Sequence, residues 1–379
     1  MKLSKKINLK HFIAYIIIGI AAIFFTTMSF MQQLDGSILF LLEKITISII
    51  LAISLSVVVG FLGELSLGHA GFMCIGAYIS GKVACILEPH LAGNETVNLL
   101  ICLLVGGVVA ALCGVVIGIP ALRLRGDYLA IVTLAFGEIV RSLFRNSTDA
   151  SFGGTRGLDT PRFDKDYLFI FGFVMVLVTL FIVQSFIRSK HGRAVTAIRD
   201  NEIAARACGI NVTKYKLLAF TISAFFAGIA GTLYSFSNYT VQQSNFSYNY
   251  SIEILVMVVL GGMGNINGSI IAAALITYLD AKLANVLTGD LAVLQNLVYA
   301  LVLIVIVIYN NAPKLKYFRD NYSISKLIKK LFKHSHDPSR VTDDAANWDV
   351  VPTKIQMDEI LSVDMKAQNL GADKEGDNK

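Results

Sequence analysis

The segment ILFLLEKITISIILAISLSVVVGFL, residues 38–62, decides the fold class of this chain. Its only charged side chains are Glu43 and Lys44, and both lie in its first third. A membrane-spanning helix needs about 20 mostly apolar residues, so this segment is long enough to cross a bilayer. Backbone groups in lipid must form hydrogen bonds within their own segment, and this requirement favours a helix.

Similar apolar stretches recur along the chain. Its 379 residues are 55% hydrophobic, and only 16% are charged, against about 25% in soluble domains. The spans are predicted near residues 12–31, 38–62, 66–87, 98–119, 128–144, 167–187 and 217–236, with a pair near 252–285 and a last span near 291–310. The alternating ten-residue segments of a β-barrel are absent. We therefore predict an all-α integral membrane protein, a bundle of about 8–10 transmembrane segments.

The distribution of Lys and Arg predicts how the bundle is oriented. The first ten residues hold four lysines, and the loop 188–216 holds seven Lys or Arg against two acids, whereas residues 237–250 are uncharged. Basic loops stay on the cytoplasmic side, so both termini and the loop 188–216 are expected there. The net charge of +6 lies mostly in such loops, so it favours membrane topology over nucleic-acid binding.

Composition divides the chain into three predicted regions. Residues 1–310 form a transmembrane domain in a multi-pass protein of the cell membrane. Residues 311–340 form a basic segment next to the lipid bilayer, and residues 341–379 form a polar tail with nine acids and four bases. Few apolar residues in that tail can be buried, so we expect it to be a disordered cytoplasmic tail.

Two glycine-rich breaks interrupt the apolar pattern, at residues 60–71 and at residues 261–264. The apolar arm before the second break is too short for a normal span, so residues 252–285 are predicted to form a re-entrant or broken helix. Such breaks line transport pathways in many transporters, although close helix packing is an alternative reason for the glycines. The predicted translocation path contains Glu64, Ser66, His69, Gly261, Gly262 and Gly264.

Few other residues could carry chemistry. Glu43 and Lys44 are expected at the membrane interface, Glu138 and Arg141 are three residues apart and expected to pair, and His69 has a structural role as an alternative to the path. No metal-ligand spacing, serine nucleophile motif or GxxxxGK[ST] phosphate loop occurs in the sequence. We therefore expect no metal, no cofactor and no enzymatic activity, and any nucleotide energy must come from another chain.

The segment RDNEIAARACG, residues 199–209, predicts a short helix within the basic loop. Asp200 is the expected N-cap, and Gly209 is expected in the left-handed turn after the helix. Ile203, Ala204, Ala207 and Cys208 would form a small apolar face. So short a helix is marginal alone and needs a partner surface on the bundle or on another protein, unless it is only a solvated connector.

Several segments in this order resemble the LivM-type permease subunit of branched-chain amino acid ABC importers. The resemblance covers roughly residues 38–310. The segments are GELSLGHAGF at 63–72, ALRLRGDYLAIVTLAF at 121–136, GRAVTAIRDNEIAARACGIN at 192–211, YKLLAF at 215–220 and VVLGGMG at 258–264.

The resemblance implies an importer permease that moves Leu, Ile and Val into the cell. It also implies a second permease subunit in a heterodimer, two ABC ATPase subunits and an extracytoplasmic amino-acid-binding protein. The loop helix would be the coupling helix that sits in a cleft of an ATPase, with Arg199, Asp200, Glu202, Ala204, Ala205 and Gly209. The wider ABC pattern is Glu-Ala-Ala-x-x-x-Gly, and this chain has Ile203 where that pattern has Glu.

Two alternative functions stay open at this point. The same architecture could import urea, amides or another amino acid, because no pocket side chain is identifiable from the sequence. A stand-alone ion-coupled secondary transporter is the other alternative, which the small number of deep carboxylates disfavours. An importer of this architecture requires separate ATPase chains whatever its solute, whereas the secondary transporter does not.

Overall fold

A computed structural model of the chain describes residues 13–30, 35–90, 94–124, 126–161 and 167–286, together with 301 and 304, which are helical. The rest of the predicted span 291–310 and the segments 311–340 and 341–379 lie outside the described residues. In chain order the elements are α1 (Ile13–Phe30), α2 (Gly36–Ser56) with a π-helical continuation (Val57–Leu62), α3 (His69–Leu87), α4 (Glu95–Ala121), α5 (Asp127–Arg145), α6 (Asp149–Phe152), a 3-10 turn (Gly154–Arg156), β1 (Leu158–Asp159), α7 (Leu168–Arg188), α8 (Lys190–Asp200), α9 (Glu202–Ala207), α10 (Val212–Ser237), β2 (Thr240–Val241), a 3-10 turn (Gln243–Phe246), α11 (Tyr248–Gly261) and α12 (Ile266–Val286).

The predicted all-α membrane fold is confirmed. Within the described residues, six helices are long and apolar enough to cross a membrane: α2 with its continuation, α3, α4, α7, α10 and α12. Residues 18–29 of α1 and the whole of α11 are apolar but shorter. The helix α5 forms where a span was predicted, but Glu138, Arg141 and Arg145 make it amphipathic, and it is not among the six.

The helix α2 is the centre of the bundle. Its side chains are buried without interruption from Thr46 to Gly60, and α7, α10, α11 and α12 pack around it. By contrast, α4 exposes Leu104, Leu112 and Val116, each at 60% or more. A helix that is apolar on all sides and buried on all sides belongs in a core, whereas exposed apolar side chains on an outer helix suit a lipid surface.

The helices α3, α4 and α10 pack against one another through small residues. A Cβ atom at Gly76 of α3 would clash with the backbone of Gly228 in α10, and Gly228 also touches Gly106 of α4. Membrane helices associate through such close backbone approaches, because lipid supplies no hydrophobic drive between them. These glycines lie outside the two breaks, so they show how this trio of helices packs.

The helices α11 and α12 form the predicted broken pair. The first ends at Gly261, and the second begins at Ile266 after Gly262 and Gly264, which both have positive φ. The two arms pack together, since Gly261 lies directly against Gly268. At 14 residues α11 is about 21 Å long, shorter than a bilayer core of about 30 Å.

One end of the bundle, which we call the far end, lies opposite the basic loop. The strands β1 and β2 pair there, Leu158 with Val241, after α10 has run about 27 Å from Lys216 to Tyr234. Close by, the ring of Tyr78 stacks on Phe144 with centroids 4.2 Å apart. Short strands and aromatic packing therefore hold the segments of the far end together.

Two predictions about charged residues have different outcomes. Glu138 and Arg141 do pair, with 2.9 Å between the charged atoms, so that prediction is confirmed. The interface position predicted for Glu43 stays a prediction, but Glu43 is 3% exposed and accepts a hydrogen bond from the hydroxyl of Ser237. The end of α10 covers this carboxylate. Lys44 is exposed, as expected, with its ammonium group over the Phe40 ring.

Candidate coupling site

The basic loop is a helical segment anchored on the bundle. The helix α8 begins where the Ser189 hydroxyl accepts a hydrogen bond from the amide of Gly192, 3.2 Å away. A side-chain oxygen at this position satisfies an amide that has no partner in the first turn. Val195 and Ile198 on one face of α8 are buried. Because α8 is fixed at both its start and its inner face, it holds the next helix in a defined position.

The predicted loop helix exists as α9, but its N-cap differs from the prediction. The side chain of Asn201 accepts a hydrogen bond from the Ala204 amide at 3.0 Å. Asp200 is instead the last residue of α8. The prediction that Asp200 caps the helix is therefore wrong, since the chain bends one residue later, at Asn201, where the backbone is extended.

The end of α9 follows the prediction. Gly209 has φ +81°, the left-handed conformation that favours glycine. The amide of Gly209 bonds to the Arg206 carbonyl, and the amide of Ile210 bonds to the Ala205 carbonyl. These two bonds form a Schellman motif, which satisfies the last carbonyls of the helix.

One side of α9 is exposed and apolar, as the sequence predicts. Ile203 is 78% exposed, and Ala204, Ala207 and Cys208 are exposed beside it. Ala205 is on the opposite side and only 5% exposed, packed against the bundle. The helix therefore offers a small apolar surface to solvent while its other side is fixed.

Lys216 connects α9 to the first glycine break. Its ammonium nitrogen lies 2.5 Å from the Glu64 carboxylate and 3.2 Å from the Glu202 carboxylate. Lys216 is 3% exposed, so its ammonium group is shielded from water and from salt, whereas Glu202 is partly exposed. Glu202 also bonds to Arg206, four residues along α9. The loop helix, α10 and the segment after α2 are thus joined by opposite charges.

Arg199 makes the second connection. Its guanidinium donates a hydrogen bond of 3.0 Å to the Gly60 carbonyl, and it also pairs with Asp200 at 3.0 Å. The stem of Arg199 crosses Gly63, where a Cβ atom would come within 2.7 Å of the Arg199 Cγ. Arg199 therefore binds the backbone of the first break directly, whereas Asp200 orients the guanidinium.

The two glycine breaks touch each other at this point. A Cβ atom at Gly60 would lie 2.6 Å from the amide nitrogen of Gly264. We call Gly60, Gly63 and Gly264, with Arg199 against them, the glycine junction. Gly264 also lines a cavity of about 360 Å³ with residues of α7, among them Gln184 and Arg188. The junction is thus both a close backbone contact and the wall of a cavity.

The other predicted path residues of the first break are buried. His69 is 2% exposed, and its Nε2 lies 2.7 Å from the Ser54 hydroxyl. Ser66 is also 2% exposed. Buried polar groups with partners of this kind stabilise helix contacts, so this geometry agrees with the structural alternative for His69. A path role for Ser66 and His69 stays a prediction.

The structure thus separates the predicted residues into two groups. Arg199, Asp200, Glu202 and Glu64 come together around Lys216 and the junction, whereas Ser66 and His69 lie in the bundle interior. Gly261 packs against α12, and Gly262 and Gly264 form the turn. Their role in the translocation path stays a prediction.

Lys216 and Asn201 are the residues that sequence reasoning missed. Lys216 is the last cation before the apolar part of its helix, and Glu64 is the single anion in the first break. Opposite charges at the edges of two apolar segments could have indicated a pair. Among the residues that the structure describes, no group of three or more His, Cys, Asp or Glu could hold a metal ion.

Comparison of the sequence with known proteins identifies a family for this chain. The family model described as branched-chain amino acid transport system / permease component matches residues 37–308. The chain is 40% identical over 262 residues to the high-affinity branched-chain amino acid transport system permease protein LivM of Salmonella typhimurium, and 39% identical to the protein of that name from Escherichia coli. It is 27% identical over 222 residues to a probable LivM of Methanocaldococcus jannaschii.

The first two matches cover 61% of this chain and 60% of each relative, and the third covers 55% and 63%. The chain therefore spans about 60% of the length of these relatives. No solved structure matches the chain. Because the family model covers most of the residues and its order of motifs is present, the chain belongs to the family of permease components of branched-chain amino acid transport systems.

Proposed function

We propose that this protein is the membrane permease subunit of an ABC importer for branched-chain amino acids. Its partners are a second permease subunit, two ABC ATPase subunits and an extracytoplasmic amino-acid-binding protein. Both termini and the loop 188–216 face the cytoplasm, as the basic residues predict. The relatives that carry the name LivM support the substrate class.

The main support for the proposal is the exposed apolar face of α9. The opposite side of this helix packs against the bundle. The small side chains of Ala204 and Ala207 permit a close approach of a partner surface. Ile203, at 78% exposed, would be covered in that contact. A single exposed helix between charged segments is what a docking site for an ATPase cleft requires.

Movement of α9 would reach the bundle through two routes. The first is the ion-pair cluster of Glu202, Lys216 and Glu64, and the second is Arg199 on the Gly60 carbonyl. The second ends at the glycine junction, and the first ends at Glu64, the residue after Gly63 of that junction. When nucleotide draws the ATPases together, α9 shifts, and the junction moves between two packings. This is alternating access biased by nucleotide.

The test is Ala204→Trp in the full chain, expressed with its proposed partners. The bulky side chain blocks the close approach, so we expect loss of ATPase co-purification and loss of leucine uptake, while the thermal unfolding midpoint stays unchanged. The matched control is Ala284→Trp, which places the same side chain at an exposed alanine of α12 away from the loop. Unchanged ATPase binding in the Ala204→Trp protein would reject the docking role.

The same assay separates the alternative functions. Uptake of urea or an amide in place of leucine would assign another solute to the same architecture. Uptake by the purified chain alone, without ATPases and abolished by an ionophore, would indicate an ion-coupled secondary transporter instead.

A further inference from the structure

A second cavity, of about 380 Å³, lies between α2, α3, α10, α11 and α12. Its volume falls within the range of about 300–1,000 Å³ that is usual for small-ligand sites. Tyr234 in its wall is 18 residues along α10 from Lys216, so the cavity is about 27 Å from the coupling cluster. It is therefore at the far end of the bundle and separate from the coupling site.

The cavity carries both signs of charge. Lys44 lies in its wall, and so do Glu253 and Asp280. A wall with a cation and two anions is complementary to a small molecule that itself carries an ammonium and a carboxylate. Both carboxylates also interact with other groups of the chain, so a bound ammonium would share them.

One buried polar atom in the same wall has no hydrogen-bond partner. The hydroxyl oxygen of Thr277 is buried and unpaired within the described part of the chain, and the residue is 8% exposed. Such hydroxyls commonly bond to a carbonyl one helical turn earlier, as Thr221 does here. A buried polar group without a partner is rare in proteins and points to an unseen ligand or water.

The rest of the cavity is suited to an apolar side chain. Ile47, Met73 and Phe246 line it and are each buried within the bundle. Methionine adapts its shape to a ligand, whereas Ile47 and Phe246 form a fixed wall. Charged groups and an apolar wall within one cavity match the two halves of an aliphatic α-amino acid.

We propose that this cavity is a binding site for a zwitterionic α-amino acid with an aliphatic side chain. Lys44 binds the carboxylate, Glu253 and Asp280 bind the ammonium, and the Thr277 hydroxyl donates to the carboxylate. The site deepens the proposed function on which it rests, because it receives substrate at the far end before the glycine junction opens.

The probe is photo-leucine, a leucine analogue with a diazirine in its side chain, applied to the full-length chain in membranes. After illumination, peptide mass spectrometry should place the label on segments that contain Ile47, Met73 or Phe246, and excess leucine should remove it. We expect Thr277→Val and Lys44→Met to weaken this labelling about tenfold each, because each deletes a contact with a charged group.

Two controls separate binding from folding. Thr277→Val removes an unpaired buried hydroxyl, so the variant should unfold at the same temperature as the original protein or higher. Thr221→Val makes the same chemical change outside the cavity, and Lys282→Met removes an exposed cation that stacks on Tyr278. Both control variants should label normally.

The result that overturns the site is label on other segments, or label in the cavity that Thr277→Val and Lys44→Met both leave unchanged. Parallel leucine uptake with the ATPases present distinguishes the two proposals. Uptake without cavity labelling rejects this site and leaves the importer standing. Cavity labelling without ATP-dependent uptake supports the site and rejects the importer.

Discussion

The coupling end and the far end of the bundle each hold a carboxylate, partly buried at the first and fully buried at the second, by different means. At the coupling end, Glu64 faces the ammonium of Lys216, which also binds Glu202 of the loop helix. At the far end, Glu43 accepts a hydrogen bond from the hydroxyl of Ser237. The first arrangement joins three separate segments through charge, whereas the second joins the ends of two helices that already pack side by side.

This difference explains why the two ends suit different tasks. Charge attraction falls slowly with distance, so the Lys216 cluster can stay connected while the loop helix shifts. The far end depends on contacts of shorter range, such as the stacked rings of Tyr78 and Phe144 and the β1–β2 pair. We infer that the coupling end transmits movement and that the far end keeps a fixed shape around its cavity.

The largest effect is expected from Lys216→Met, which breaks the cluster at the coupling end. Glu64 would remain in a largely buried position without its cation. The free energy of unfolding should fall by about 3 kcal/mol. This is the low end for a broken buried pair, because Glu202 is partly exposed and keeps its ion pair with Arg206. The measurement is thermal unfolding in detergent, together with the coupling of ATP hydrolysis to uptake.

Lys214→Met is the matched control for this change, because Lys214 is exposed and lies two residues away on the same helix. It should alter stability by less than about 0.5 kcal/mol. Adding Glu64→Gln to Lys216→Met should recover part of the loss, since the buried charge disappears. Equal effects of Lys214→Met and Lys216→Met would show that the cluster does not hold the coupling end together.

The next effect in size is expected at the glycine junction. Gly60→Ala places a methyl group 2.6 Å from the backbone nitrogen of Gly264, so helix α2 or the turn must move. Overpacking of this kind costs about 1–3 kcal/mol. We expect a lower unfolding temperature and slower uptake with ATPase docking intact, measured by the co-purification that tests Ala204→Trp.

Gly36→Ala is the control for the junction, because a Cβ atom at Gly36, at the other end of α2, meets nothing within 4 Å. It should leave stability and uptake unchanged. If Gly60→Ala were equally silent, the two breaks would not need their close contact, and the comparison between a movable end and a fixed end would lose its basis.

The sequence predicts the helices better than it predicts which of them meet. Apolar length and glycine placement predicted the central helix α2 and the broken pair, because both are local properties. The burial of Glu43 depends on where the end of α10 lies, and no local pattern contains that information. Lys216 and Glu64 are 152 residues apart, so their pairing depends on the packing of α2 against α10.

Asn201 illustrates the same limit on a smaller scale, and it gives the smallest predicted effect. Asp, Asn and Ser are all good N-caps, so the sequence Asp200-Asn201 does not by itself reveal which residue begins the helix. The choice is made by α8, which continues through Asp200 because Val195 and Ile198 fix it on the bundle. The chain can then bend only at Asn201.

Asn201→Ala should therefore destabilise α9 by about 1 kcal/mol, because the Ala204 amide loses its acceptor. Hydrogen exchange at the Ala204 amide measures this directly, and the rate should rise about fivefold. Asp200→Ala removes only an exposed ion pair with Arg199, worth about 0–1 kcal/mol, and should leave that amide protected. Faster exchange in Asp200→Ala than in Asn201→Ala would assign the cap to Asp200.

The Lys216 and Ala205 contacts still hold α9 when its cap is lost. Asn201→Ala should therefore reduce ATPase binding less than Ala204→Trp does. This comparison separates the effect of order within the loop from the effect of the shape of its exposed face.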